Sequence, residues 1–134
     1  MMRQLDEKVF VSGQIRPEDV ASLREQGIAM VINNRPDGEE ADQPAGAEIE
    51  AAAEEAGLDY RYIPIQRGIG PADVEEMHEA FGETDGKVLA FCRSGTRSAL
   101  AWAVARRREG MSIDEIEKAA ASAGVDLAPV AHLL

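Results

Sequence analysis

Two segments of this 134-residue chain, Ile28-Ala29-Met30-Val31-Ile32 and Val88-Leu89-Ala90-Phe91 after Lys87, are apolar without interruption. A strand with one wet face alternates apolar and polar residues, so an unbroken run belongs to a strand covered on both faces. Shorter strand segments lie at Lys8–Val11 and Leu58–Ile63. Helical segments separate them: Pro17–Gln26, closed by Gly27; Ala47–Ala56, closed by Gly57; and Pro71–Gly82, with Pro at the first turn. A further helix runs from Ser98 to about Glu109, and Ser112 with Glu115 opens a last one that ends near Ala123. Strand–helix alternation at this spacing, without an internal repeat, predicts an α/β fold. The expected form is a single domain over residues 1–134, with a mostly parallel sheet of about four to five strands flanked by helices.

Composition removes several classes of function. Fourteen Lys and Arg against twenty-five Asp and Glu give a net charge of −11, the wrong sign for displacing counterions from a nucleic acid. No apolar run approaches the ~20 residues a bilayer requires, and the first residues lack a secretory core, so a cytoplasmic location is expected. One Cys and two His do not assemble the usual structural zinc site, and one Cys forms no internal disulfide. Neither a metal nor an organic cofactor is expected.

The chemistry concentrates in Cys92-Arg93-Ser94-Gly95-Thr96-Arg97-Ser98, which follows a buried-type strand and opens a helix. Ligands in parallel sheets bind beyond the carboxyl ends of the strands, where Cys92 falls. Gly95 permits a tight turn, and the following amides can point inward as a nest for an anion. The helix N-terminus and Arg97 add positive charge, so the loop favours thiolate over thiol. A cysteine at a strand end can also be a small buried hydrophobe. Two arginines beside it are costly to bury without an anion, and this tips the reading toward catalysis or anion binding.

At these residues the sequence resembles the cysteine-dependent phosphatase superfamily, and within it the bacterial phosphatase-like domain of beta-lactamase hydrolase-like proteins. Val11-Ser12-Gly13-Gln14, Val31 to Glu39, Tyr62-Ile63-Pro64-Ile65 and Phe91 to Ser98 carry the resemblance, in the family's order. It extends over most of residues 9–127 and implies a compact dual-specificity-phosphatase fold. By resemblance, Cys92 is the phosphoryl-accepting nucleophile and Arg97 the clamp on the phosphate oxygens. Ser98 donates to the departing thiolate, and the amides of Arg93, Ser94, Gly95, Thr96, Arg97 and Ser98 cradle the oxygens. The implied partner is a phosphorylated substrate.

Two features depart from the pattern. Four residues separate Cys92 from Arg97, where tyrosine phosphatases have five, and Phe91 stands where they have His. The shorter Cys-x4-Arg loop also resembles rhodanese-type sulfurtransferases, which implies a Cys92 persulfide and a sulfur-donor substrate. A non-catalytic phosphate-binding module is the third reading. The loop after Leu58–Ile63 reads Gln66-Arg67-Gly68 and offers no general acid. The replacements nearby are Asp37, Glu39 and Asp73. Asp73 suits a helix-dipole partner, and Asp37 suits the Pro36-Asp37-Gly38 turn. Asp37 is nonetheless the acid candidate, because its strand should run parallel to the Cys92 strand and end on the same side.

Other residues have plainer expectations. Val74, Met77, His78 and Phe81 share a helical face, which makes His78 a core-edge histidine. Trp102 is expected in the core, and Arg106-Arg107-Arg108 complements a helix dipole. Arg35 and Arg67 are candidates to face the Cys92 pocket. The nine acids between Asp37 and Asp59, with no base among them, read as a solvated surface. No surface stripe marks an oligomer interface.

Overall fold

In the computed structural model, which describes residues 2–134, the two apolar runs lie side by side at the centre of a five-stranded sheet ordered β1-β2-β5-β3-β4. The strands are β1 (Arg3–Gln4), β2 (Val9–Ser12), β3 (Ile28–Asn33), β4 (Asp59–Tyr62) and β5 (Lys87–Phe91). Pairings β2–β5, β5–β3 and β3–β4 are parallel, and only the short β1 runs antiparallel, against β2. The expected strands are all present. The two-residue β1 is an addition, too short to leave a periodic trace in sequence.

Alternation along the central strands divides the core between two layers. Met30 and Ile32 of β3 and Val88 and Ala90 of β5 face α3 (Pro71–Gly82), α4 (Thr96–Arg108) and α5 (Ile113–Ser122). Val31, Leu89 and Phe91 face α1 (Val20–Glu25) and α2 (Gly46–Ala56). Both faces are therefore covered, which is why neither run carries polar residues. A register shift between Ile28 and Met30 absorbs one residue, so Ile28 joins the α1–α2 layer.

Helix α4 is buried from Ser98 through Ala105, as its all-round apolar sequence implies. Trp102 is in the core, and its Nε1 donates to Asp6 Oδ2 at 2.8 Å, so the indole buries without an orphaned N–H. Arg106 shares the Asp6 carboxylate at 2.9 Å and lies 4.7 Å from the Phe81 ring centroid. The tribasic segment thus does more than answer a dipole: Arg106 ties α4 to the β1–β2 turn and to α3.

His78 departs from expectation. Val74, Met77, Ala80 and Phe81 form the buried seam of α3, and its centre lies nearer Ala80 than the i, i+4 pairing of Val74 with His78 suggests. His78 is 53% exposed, and its Nδ1 pairs with Glu109 Oε2 at 2.6 Å. After α5 the chain makes a 3-10 segment over Ala128–Leu133, which seats Val130 in the core. The sequence showed no periodicity there.

Among the described residues, no helix is long and apolar enough to cross a membrane, and no cluster of three or more His, Cys, Asp or Glu could hold a metal ion.

Candidate active site

The carboxyl ends of β2, β5 and β3 converge on Cys92. Its amide donates to Ser12 O at 3.4 Å, and the Asn34 amide donates to Phe91 O at 2.8 Å. Cys92 is thus anchored on both sides by the strands that flank it, and it is only 1% exposed. The chain then turns at Gly95, whose φ of 93° lies in the left-handed region that a side chain disfavours. A Cβ there would stand 3.2 Å from the Ser12 carbonyl, so the glycine also permits backbone contact with β2. The turn aims the Gly95 amide at Cys92 Sγ, 3.1 Å away. Ala99 N–H donates to Gly95 O at 3.0 Å, which begins the α4 ladder. The amides just before it have no intrahelical acceptor, the local source of an anion-binding helix N-terminus.

Arg97 lies in the first turn of α4, 22% exposed. Its Nη1 donates to Glu39 Oε2 at 2.7 Å and to Ile65 O at 2.7 Å, and its Nη2 donates to Glu39 Oε1 at 2.9 Å. Glu39 foremost, and also the Cys92 sulfur, raise the Arg97 pKa above its ordinary value. Conversely the Arg97 hydrogen bond, seconded by Arg35, pulls the Glu39 carboxyl down to about 2. Glu39 is therefore a carboxylate at neutral pH.

Arg35 lies beneath this pair and is buried. It donates to Glu39 Oε1 at 3.0 Å, Gln14 Oε1 at 3.0 Å and Glu40 Oε1 at 3.1 Å. Glu40 also meets Arg93 Nε at 2.9 Å, while the Arg93 side chain stays 70% exposed. Two of the nine acids, both on the surface, thus pair with arginines at the site. The sequence signal was present in the run Arg35-Pro36-Asp37-Gly38-Glu39-Glu40, which begins just past a strand parallel to the Cys92 strand.

The remaining site residues take varied positions. Ser98 is fully buried, and its hydroxyl donates to Asn34 Oδ1 at 2.8 Å. Ser94 and Thr96 join their hydroxyls at 3.1 Å on the exposed rim. Asp37 lies past the end of β3 on the expected side, with Oδ1 accepting from the Gly46 amide at 2.7 Å at the start of α2. Its own amide donates to Tyr62 Oη at 3.0 Å. Asp73 accepts from the Gly70 amide at 2.9 Å, the helix-start role its position suggests. Arg67, Asp37, Tyr62 and Asp73 line an open cleft of about 640 Å³. Arg35, by contrast, spends its donors on Gln14, Glu39 and Glu40.

A five-stranded α/β sheet with a cysteine–arginine loop at its carboxyl edge is the architecture of a phosphatase-like domain. The chain belongs to the family described as the phosphatase-like domain of beta-lactamase hydrolase-like protein, whose model matches residues 1–109. A beta-lactamase hydrolase-like protein of Xylella fastidiosa (strain Temecula1) is 37% identical over 125 residues, which is 92% of this chain. The chain spans only 29% of that relative's length. The crystal structure of a candidate phosphatase from Neisseria meningitidis Z2491 is 39% identical. It superposes with a TM-score of 0.83 over 96% of this chain and 92% of that one. The structure of Tk-PTP in its active form shares the fold, with a TM-score of 0.75 at 17% identity, covering 98% of this chain and 92% of that one.

Proposed function

We propose that this domain hydrolyses phosphomonoesters through a phosphocysteine intermediate. The observation that carries the reading is the Gly95 amide donating to Cys92 Sγ at 3.1 Å, at the start of the helix whose first turn bears Arg97. A sulfur held by an N–H donor at a helix N-terminus is suited to react as the thiolate. In the first step the Cys92 thiolate attacks phosphorus, so an S–P bond forms as the ester P–O bond breaks. The first-turn amides of α4 and Arg97 offset charge on the phosphoryl oxygens. The leaving alkoxide takes its proton from Asp37, whose Oδ1 accepts from the Gly46 amide. Water then attacks phosphorus and passes a proton to the Asp37 carboxylate as the S–P bond breaks, which releases orthophosphate and restores both the thiolate and the acid. Donation from Ser98 to that departing thiolate requires its hydroxyl to rotate off Asn34.

A second reading has its own support. Four residues stand between Cys92 and Arg97, no acid follows β4, and the Asp37 carboxylate already caps α2. Sulfur transfer from thiosulfate needs no protonated alkoxide: Cys92 attacks the outer sulfur, sulfite leaves, and the persulfide passes its sulfur to an acceptor. Parallel assays on para-nitrophenyl phosphate and on thiosulfate with cyanide separate the two. Phosphate release without thiocyanate is the expected result. Thiocyanate alone overturns hydrolysis in favour of sulfur transfer. Neither product, with orthophosphate still bound, leaves a phosphate-binding module.

A further inference from the structure

We propose that Glu39 is a positioning residue, which fixes the Arg97 guanidinium so that one edge stays open for the substrate's oxyanion. The inference rests on the reading of residues 92–98 as an oxyanion cradle. It follows from counting donors. A guanidinium has five N–H groups in a rigid plane: one on Nε and two on each Nη. Both Nη1 hydrogens are engaged, one by Glu39 Oε2 and one by Ile65 O, and one Nη2 hydrogen is engaged by Glu39 Oε1. The two left over are the Nε–H and the second Nη2–H. These lie in the plane along one edge and together form a bidentate pair, the geometry that grips two oxygens of a phosphoryl or sulfonyl group.

Glu39 is itself held in place. Arg35, buried and donating to Glu39, Glu40 and Gln14, ties the carboxylate to the end of β2 and to its own loop. The Ile65 carbonyl belongs to the segment after β4, whose amide donates in turn to Asn34 O at 3.0 Å. Two separate segments therefore hold Arg97 before any ligand arrives, and a third, at Gln14, steadies Arg35 behind Glu39. A long side chain at the rim otherwise loses rotamer freedom on binding, and here much of that cost falls on folding instead. Glu39 touches neither the sulfur nor the reacting group in this arrangement. It acts through Arg97.

The opposite possibility is that the carboxylate is a resident anion that the substrate must expel, and the two differ in sign. Orthophosphate binding is measured by calorimetry on the wild type, Glu39→Gln, Arg97→Lys and the double variant, with thermal unfolding recorded for each. Glu39→Gln keeps the shape but gives up a paired acceptor, and its phosphate affinity is expected to fall about tenfold. In the Arg97→Lys background, which lacks the fork, the same change is expected to have little further effect. In turnover, kcat/KM falls with the affinity. Unchanged or tighter binding in Glu39→Gln overturns the proposal, as does an equal loss in the Arg97→Lys background. Should Glu39→Gln not fold, Glu39→Asp supplies the comparison, since a carboxylate one methylene shorter does not reach both nitrogens and is expected to weaken binding. Absence of phosphate binding in wild type and variants alike instead overturns the oxyanion-cradle reading.

Discussion

Ser98 donates its hydroxyl to Asn34 Oδ1 at 2.8 Å, joining the first turn of α4 to the residue that follows β3, with both partners buried. Asn34 in turn donates to Ile63 O at 2.9 Å, so the segment after β4 belongs to the same network. The loops bearing Cys92, Glu39 and Ile65 are thereby held in one arrangement from beneath. Ser98→Ala leaves a buried carbonyl oxygen without its donor and is expected to cost about 1–3 kcal/mol in a urea titration. Ser94→Ala, on the exposed rim, is the control and should stay within about 0.5 kcal/mol.

Gly95→Ala tests the turn. The left-handed φ of 93° opposes any side chain, and the Ser12 carbonyl leaves a Cβ little room at 3.2 Å. Destabilisation of about 1–3 kcal/mol is expected, together with loss of orthophosphate binding as the Gly95 amide swings off Cys92 Sγ. Retained phosphate affinity would show that this amide does not shape the cradle.

Cys92→Ser is expected to abolish turnover while orthophosphate still binds, because the amides and Arg97 remain. Arg97→Ala should lose both. Steady-state assays paired with calorimetry separate the two effects, and full activity in Cys92→Ser would remove the covalent mechanism.

Asp37→Asn bears on the leaving group. With para-nitrophenyl phosphate, whose leaving group needs little protonation, the rate should change modestly. With a phenyl or alkyl phosphate the loss should reach about 10²–10⁴-fold. Equal losses on both esters would assign Asp37 to the α2 cap alone.

Acid unfolding should reflect Glu39. Its folded-state pKa of about 2 lies below the ordinary 4.5, so its contribution is present above 4.5 and is lost as the pH falls toward 2. Asp6 acts in the same direction below 3.8: burial pushes its carboxyl up, but hydrogen bonds from Trp102 and Val9 and the charge of Arg106 more than offset that. His78 has the opposite sign. Glu109 raises its pKa above 6.5, so its contribution is present below 6.5 and fades as the pH rises. Being exposed, His78 adds little. Thermal unfolding followed from pH 7 to pH 2 should show a flatter acid limb in Glu39→Gln than in the wild type.

Order and type of the main elements were readable in the residues, because each was written in contacts between near neighbours. Two uninterrupted apolar runs fixed the covered strands at the centre, glycines and prolines bounded the helices, and the strand–loop–helix around Cys92 marked the carboxyl edge of the sheet. The partners of the site residues were not readable. Arg97 meets Glu39 across 58 positions, Ser98 meets Asn34 across 64, and Trp102 meets Asp6 across 96. An acid in a run of nine acids has the same local surroundings whether it faces water or an arginine. Only the parallel register of β3 beside β5, which brings the two loops to one edge, set Glu39 and Glu40 against arginines. His78 illustrates the same limit: helical spacing gave its face to within a side chain, and the packing of α3 against α4 turned it outward. Spacing sets which way a residue points from its own element, whereas the neighbour it meets depends on where the other elements come to rest.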